Sequence, residues 1–367
     1  MYKKYMYKTF KFILIFFLII SMLYSWIVFF DIPGIKDLGN IWIETAMTTA
    51  DHQWLATKIF PEYLIKKVMK DKINIDDISI TDIDNTQSIY YKKPSLLLST
   101  NPPEILNNKK FEDFRPKDIL NQKNLKEYDE FGNKIIVNDI EQGIVIIEVK
   151  DLEYTGYLTL IDDPSRVFVG VTQKKERGQT TLEYFDEYDI VVAMNANGFG
   201  DAGGVGKGNV LLGCTRSEGK DICNGNKDFY ITAGFNDKDQ LVIGRMKDWD
   251  KYNLRDAVQY EPILILNGEK VIDGSGGWGL QPRTIVAQRK DGVVMFLAID
   301  GRKPGYSLGA TMGTCADILL QYGAENATAM DGGSSTTLAY NKKLVNKPST
   351  PMTTGRYLPN ALMVRKK

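Results

Sequence analysis

The stretch Asp331-Gly332-Gly333-Ser334-Ser335-Thr336-Thr337 sets one carboxylate beside two glycines and four consecutive hydroxyl residues. Hydroxyl donors can fix the orientation of such a carboxylate, and the missing glycine side chains let a substrate approach it. An ordinary Asp-Gly turn has the same composition. The short apolar run Ala327–Met330 before it reads as a buried strand ending at the Asp.

Two further places combine strand ends with polar side chains. Arg283 opens one apolar run and Asp300-Gly301-Arg302 closes the next, with Asp291-Gly292 between them as a hairpin signal. In an antiparallel hairpin the start of the first strand and the end of the second share one end, so Arg283 is expected near Asp300 and Arg302. Solvated surface arginines are the plainer reading. The other place is Asn195-Ala196-Asn197-Gly198-Phe199-Gly200, which leads into a glycine-rich loop ending near Gly208. Backbone amides in such a loop can form an anion nest, although a mobile surface loop has the same texture. No Gly-Lys-[Ser/Thr] or following helix makes it a Walker or Rossmann loop.

Composition narrows the chemistry. Of 367 residues, Lys+Arg and Asp+Glu number 46 each, so there is no basic field to attract nucleic acid. The single histidine, His52, lies far from these motifs, which leaves carboxylates, Tyr, Lys and Arg as the reactive groups. Cys214, Cys223 and Cys315 do not have zinc spacing. Cys214 and Cys223 are compatible with a disulfide in an oxidising compartment, and Cys315 with a buried thiol on a helix. No cofactor is indicated by a motif. A calcium or magnesium ion held between Asp300 and Asp331 is the metal alternative, without the spacing of a calcium loop.

These residues need elements to position them. Short β-branched runs at 135–137, 143–149, 157–161, 166–171, 190–194, 241–244, 263–266, 283–288 and 293–299 predict strands. Helices are expected over 181–188 and, more firmly, from Thr311 to Tyr322 with Gly323 as its stop. Many strands with few helices indicate an α+β domain. Residues 39–70 also read as helical, interrupted at Pro61, and there His52 and Trp54 are expected to serve packing. Residues 71–134 read as a polar connecting region.

Lys3, Lys4, Lys8 and Lys11 precede an uncharged run from Phe12 to Phe30, about the length that crosses a ~30 Å hydrocarbon core. Lacking a small-x-small cleavage site, it reads as an uncleaved signal anchor, with the N-terminus cytoplasmic and the rest of the chain extracellular. The expected organisation is a cytoplasmic tail 1–11, a membrane span 12–30, a juxtamembrane region 31–134 and a globular domain 135–367 with its core at 190–364.

The motifs Asn195–Phe199, Arg283-Thr284, Asp300-Gly301-Arg302, Ser307–Asp317, Asp331–Thr336 and Gly355–Ala361 occur in the order that resembles the phosphodiester glycosidase family. Bacterial members of that family are labelled exopolysaccharide biosynthesis proteins. Two motifs depart from the usual forms: the Asn-Gly-Gly-Phe-Phe-like signature is here Asn195-Ala-Asn197-Gly198-Phe199, and Asn-Leu-Asp-Gly-Gly is here Thr328-Ala-Met-Asp331. The resemblance implies hydrolysis of a sugar C1–O–phosphate bond in a carbohydrate phosphodiester, giving sugar and a phosphomonoester. It fits Arg283 and Arg302 as phosphate ligands with Arg356 third, since a guanidinium fork binds two phosphate oxygens. Asp331 is then the general base or nucleophile, and Asp300 orients an arginine or shares the carboxylate work. Asn195, Asn197, Gly198, Ser307, Gly332, Gly333, Ser334 and Ser335 are the expected substrate contacts. The alternative is a surface-tethered glycan-binding or polymer-assembly protein with the fold but no turnover.

Overall fold

The computed structural model describes residues 2–30, 32, 34–49, 52–70, 127–200, 206–272 and 274–367. Most of the polar connecting region and the 201–205 part of the glycine-rich loop lie outside the described residues. The chain divides into two compact units, one of residues 1–73 with 276–280 and the other of 74–275 with 281–367.

In the first unit, helix α1 (Tyr2–Phe29) contains the apolar segment Tyr5–Val28, long and apolar enough to cross a membrane or to act as a signal. Helices α2 (Ile35–Met47), α3 (Trp54–Thr57) and α4 (Glu62–Lys70) follow. Their apolar faces meet around Ile43, Ala46, Ala56, Phe60, Ile65 and Val68, together with Val28 of α1. Position 61 lies between α3 and α4, where proline's missing N–H and the restriction on its predecessor favour a break. The packing role expected for His52 and Trp54 is not what forms: both are exposed, and the short α3 instead buries Ala56.

The second unit is α+β. Its largest sheet runs in the order β1 (Lys134–Asp139), β2 (Ile144–Lys150), β3 (Thr155–Ile161), β14 (Val294–Ile299), β13 (Arg283–Arg289), β15 (Ala324–Met330), β11 (Ile263–Leu266) and β12 (Glu269–Lys270). A second sheet has the order β7 (Lys220–Asn224), β6 (Gly213–Ser217), β10 (Leu254–Tyr260), β8 (Ile231–Asn236) and β9 (Leu241–Gly244). A third has β17 (Lys343–Leu344), β16 (Leu338–Tyr340), β5 (Ile190–Asn195), β18 (Asn360–Arg365) and β4 (Val167–Val171). One apolar core joins all three, with Ile146 and Phe296 from the first, Ile243 and Val258 from the second, and Met194 and Leu362 from the third. Continuous apolar runs such as Val294–Ile299 are buried on both faces, which explains why they do not alternate.

Helix α5 (Met312–Gln321) matches the firmer of the two expected helices. Thr311 caps it by accepting a hydrogen bond from the Thr314 amide. The other expected helix, 181–188, is corrected to one 3₁₀ turn at Glu183–Asp186. The Glu183 carboxylate takes hydrogen bonds from Arg177 and from the Thr180 amide, which closes that turn locally. Strands β6, β7 and β10 were not among the expected runs because their sequences, GCTRS, KDICN and LRDAVQY, are polar or mixed. Cys214 and Cys223 form a disulfide across the β6–β7 pair, and Cys315 is a buried free thiol on α5.

Candidate active site

The site forms where ends of all three sheets meet. In the first, β13 lies between β14 and β15, with Arg283 paired to Ile299 and Thr284 to Met330. Arg283 therefore sits beside Asp300, as the Asp291-Gly292 hairpin implied, and its β15 neighbour ends beside Asp331. From the third sheet, β5 ends at Asn195, and the Ala196 carbonyl accepts a hydrogen bond of 2.9 Å from the Asp331 amide. From the second, β10 ends at Tyr260, whose phenol lies beside the Asp331 carboxylate.

Tyr260 is the functional candidate that the motif reading missed. Burial and the neighbouring Asp331 carboxylate hold its phenol well above the ordinary tyrosine range, so it stays protonated. The glycine at 198 gives its ring room, since a Cβ there would lie a tight 3.1 Å from Tyr260 Cε2. The only cue in the sequence is a tyrosine at a strand end shortly before Pro262.

The arginines reach the same turn from different elements. Arg283 is buried, and its Nε donates to the Ala310 carbonyl at 3.0 Å, just before α5. Burial lowers its pKa to about 10, with the like charge of Arg302 acting in the same direction, so it remains a cation at neutral pH. Arg302 adopts a left-handed backbone conformation and its Nε donates to Gln281 Oε1 at 2.8 Å. Its guanidinium then crosses Gly333, where φ is +59° and an added Cβ would lie 3.0 Å from Arg302 Nη2. Arg356 stands 4.7 Å over the Phe199 ring and donates to Ser334 Oγ at 3.4 Å. The guanidinium groups of Arg302 and Arg356 thus reach the Asp331–Ser335 turn, with Arg283 on the adjoining strand.

Several expected contacts have other work. Asn195 is buried: its amide nitrogen donates to the Asp331 carbonyl at 2.5 Å, while its oxygen accepts from Thr284 and the Thr337 amide. Asn197, also buried, donates to the Leu212 and Cys214 carbonyls and accepts from Thr215, Gln259 and Asn360. Their polar atoms join strands beneath the site, because a buried amide that must be satisfied is a natural tie between sheets. Ser307 likewise donates to the Asp300 carbonyl at 2.6 Å and accepts from the Thr155 amide. Ser335 is buried within the turn, whereas Gly332 and Ser334 are partly exposed.

Asp300 does not orient an arginine. Its carboxylate accepts from Tyr306 at 2.9 Å, Asn346 at 3.0 Å and the Lys347 amide at 2.9 Å. Burial raises its pKa, although these three donors oppose the shift. Asn346 in turn binds the Leu338 amide and the Thr336 carbonyl, so Asp300 braces the hydroxyl run after Asp331. Among the described residues, no group of three or more His, Cys, Asp or Glu is placed to hold a metal ion.

This arrangement of a braced carboxylate among arginines coincides with a family match over residues 188–365, to the phosphodiester glycosidases. That part of the chain is a phosphodiester glycosidase domain. The glycosidase domain contains every site residue above, from Asn195 to Arg356. The fold resembles the zebrafish N-acetylglucosamine-1-phosphodiester alpha-N-acetylglucosaminidase catalytic domain auto-inhibited by its pro-peptide, with a TM-score of 0.52 and 20% identity over 61% of this chain and 82% of that one. A hypothetical protein from Synechocystis matches with a TM-score of 0.49 and 16% identity over 64% of each chain. No curated protein matches the sequence.

Proposed function

We propose that the chain is a membrane-anchored extracytoplasmic hydrolase that cleaves the sugar C1–O–phosphate bond of a glycan or sugar-1-phosphodiester. The observation that carries this reading is the Asp331 carboxylate, with the Tyr260 phenol beside it, set in a turn reached by Arg302 and Arg356 and flanked by Arg283.

The chemistry follows from these groups. The arginines bind the anionic diester and stabilise the charge that grows on the departing phosphomonoester. Phosphate is a good leaving group, so the bond from C1 to oxygen can break without a strong general acid. Asp331 takes a proton from the water that adds to C1, and the electron pair of the broken bond stays on the phosphate oxygen. Tyr260 keeps the carboxylate aimed, and the glycines beside it leave room for the sugar.

The test is release of reducing sugar and phosphomonoester from a panel of sugar-1-phosphate diesters, using the full chain in vesicles. Turnover by the wild type that Asp331→Asn abolishes, with diester binding retained, supports the hydrolase. Binding without turnover by the wild type across the panel would support the glycan-binding alternative.

A further inference from the structure

The exposed aromatic side chains of the first unit are not explained by packing or by the glycosidase site. Leu38, Trp42, Trp54, Ile59 and Tyr63 are all exposed, Trp42 and Trp54 by 51% and 52%. On α2, Leu38 and Trp42 are four residues apart and so share a face, while Gly39, Ile43 and Ala46 form the buried face. The Trp42 indole donates to the Leu55 carbonyl at 3.1 Å, which fixes its ring beside the start of α3, where Trp54 stands.

The position of this cluster along α1 gives it meaning. Ile27 Cγ2 would lie 2.4 Å from a Cβ at Gly39, Tyr24 stacks on Phe60 at 6.3 Å, and the Tyr63 hydroxyl reaches the Val28 carbonyl at 3.5 Å. Helices α2–α4 therefore grip the last turns of α1. The apolar segment Tyr5–Val28 has 24 residues, about 36 Å of helix at ~1.5 Å per residue. A hydrocarbon core of ~30 Å leaves the C-terminal turns at the level of the lipid headgroups. Tryptophan, tyrosine and leucine are suited to that level, where a ring or chain is apolar at one end and its surroundings are wet at the other.

We infer that α2–α4 form an interfacial seat: Leu38, Trp42, Trp54, Ile59 and Tyr63 lie in the headgroup layer of the bilayer that α1 crosses. This rests on α1 being a membrane anchor. The seat adds a second hold on the lipid surface beside the span itself, and it sets the first unit at a fixed depth.

The test reconstitutes the full chain in phosphatidylcholine vesicles carrying bromine near the headgroup end of the acyl chains, and reads quenching of tryptophan fluorescence. Trp26 reports α1, Trp42 and Trp54 report the seat, and the variant Trp26→Phe/Trp42→Phe/Trp54→Phe supplies the baseline. The expected result is that Trp26→Phe remains quenched above that baseline. Quenching of the wild type that falls to baseline in Trp26→Phe overturns the seat and leaves the anchor standing. Absence of quenching in the wild type overturns both.

Discussion

The Tyr260 phenol stands beside the Asp331 carboxylate, bringing the end of β10 in one sheet to the turn after β15 in another. Neither residue is near the other in sequence, and the geometry makes the tyrosine a positioning group for the carboxylate. Replacing Tyr260 with Phe removes a hydroxyl donor beside a charged group, about 1.5–3 kcal/mol. The expected outcome is a fall in kcat of about 10- to 100-fold with KM little changed, measured on a diester substrate. An unchanged kcat would remove Tyr260 from the machinery.

Asp331→Asn keeps the volume but loses the base. Hydrolysis is expected to drop by about 10²- to 10⁴-fold, with the melting temperature close to that of the wild type. Loss of folding in this variant, seen by circular dichroism, would mean that Asp331 serves structure first.

Gly333→Ala tests the close approach of Arg302. The backbone at 333 is left-handed at +59°, and the new Cβ would lie 3.0 Å from the Arg302 guanidinium. The strain costs about 1 kcal/mol, or about 2–4 °C in Tm for a domain of this size. KM for the diester should rise as Arg302 is displaced. A variant with wild-type KM would show that this arginine does not bind the substrate.

The arginine cluster predicts an anion effect on stability. Burial and the charge of Arg302 disfavour the charged form of Arg283 in the folded chain. A phosphate diester bound by these guanidinium groups offsets that cost and stabilises the native state by about 2.7 kcal/mol at a hundredfold excess over Kd. Thermal melts with and without diester should differ in the wild type, and much less in Arg302→Gln.

Glu183 gives a pH-dependent check away from the site. Arg177, with the Thr180 amide and Lys174, lowers its pKa to about 2 in the folded chain from the ordinary glutamate value of about 4.5. A lowered carboxylate pKa stabilises the fold above the unfolded value, and that contribution is lost as pH falls from about 4.5 towards about 2. Glu183→Gln should therefore cost about 1–3 kcal/mol at neutral pH, with the difference from wild type closing over that acid window. Arg177 also stacks 4.1 Å over Tyr357, so the same change should loosen the loop that carries Arg356.

Much of this protein is written locally. The Asp291-Gly292 turn and the two apolar runs beside it were sufficient to bring Arg283 next to Asp300, because hairpin register is a property of adjacent sequence. Thr311 and Gly323 mark the ends of α5 because caps are read within a turn of the helix. The uncharged run of α1 and the order of the glycosidase motifs are likewise visible in the chain itself.

What the tertiary structure decided is which polar side chains stand at the Asp331 turn and which tie strands together beside it. Asn195 and Asn197 stand in a motif that looks like a binding loop, yet burial turns their amides to backbone and side-chain partners on neighbouring strands. Asp300 looks like a second reactive carboxylate, but Tyr306, Asn346 and the Lys347 amide occupy it. Tyr260 carries no motif and still lies beside Asp331, because the ends of two sheets pack together there. A sequence sets the residue types and the local turns. The direction of a buried side chain depends on partners far along the chain, and only packing brings those partners together.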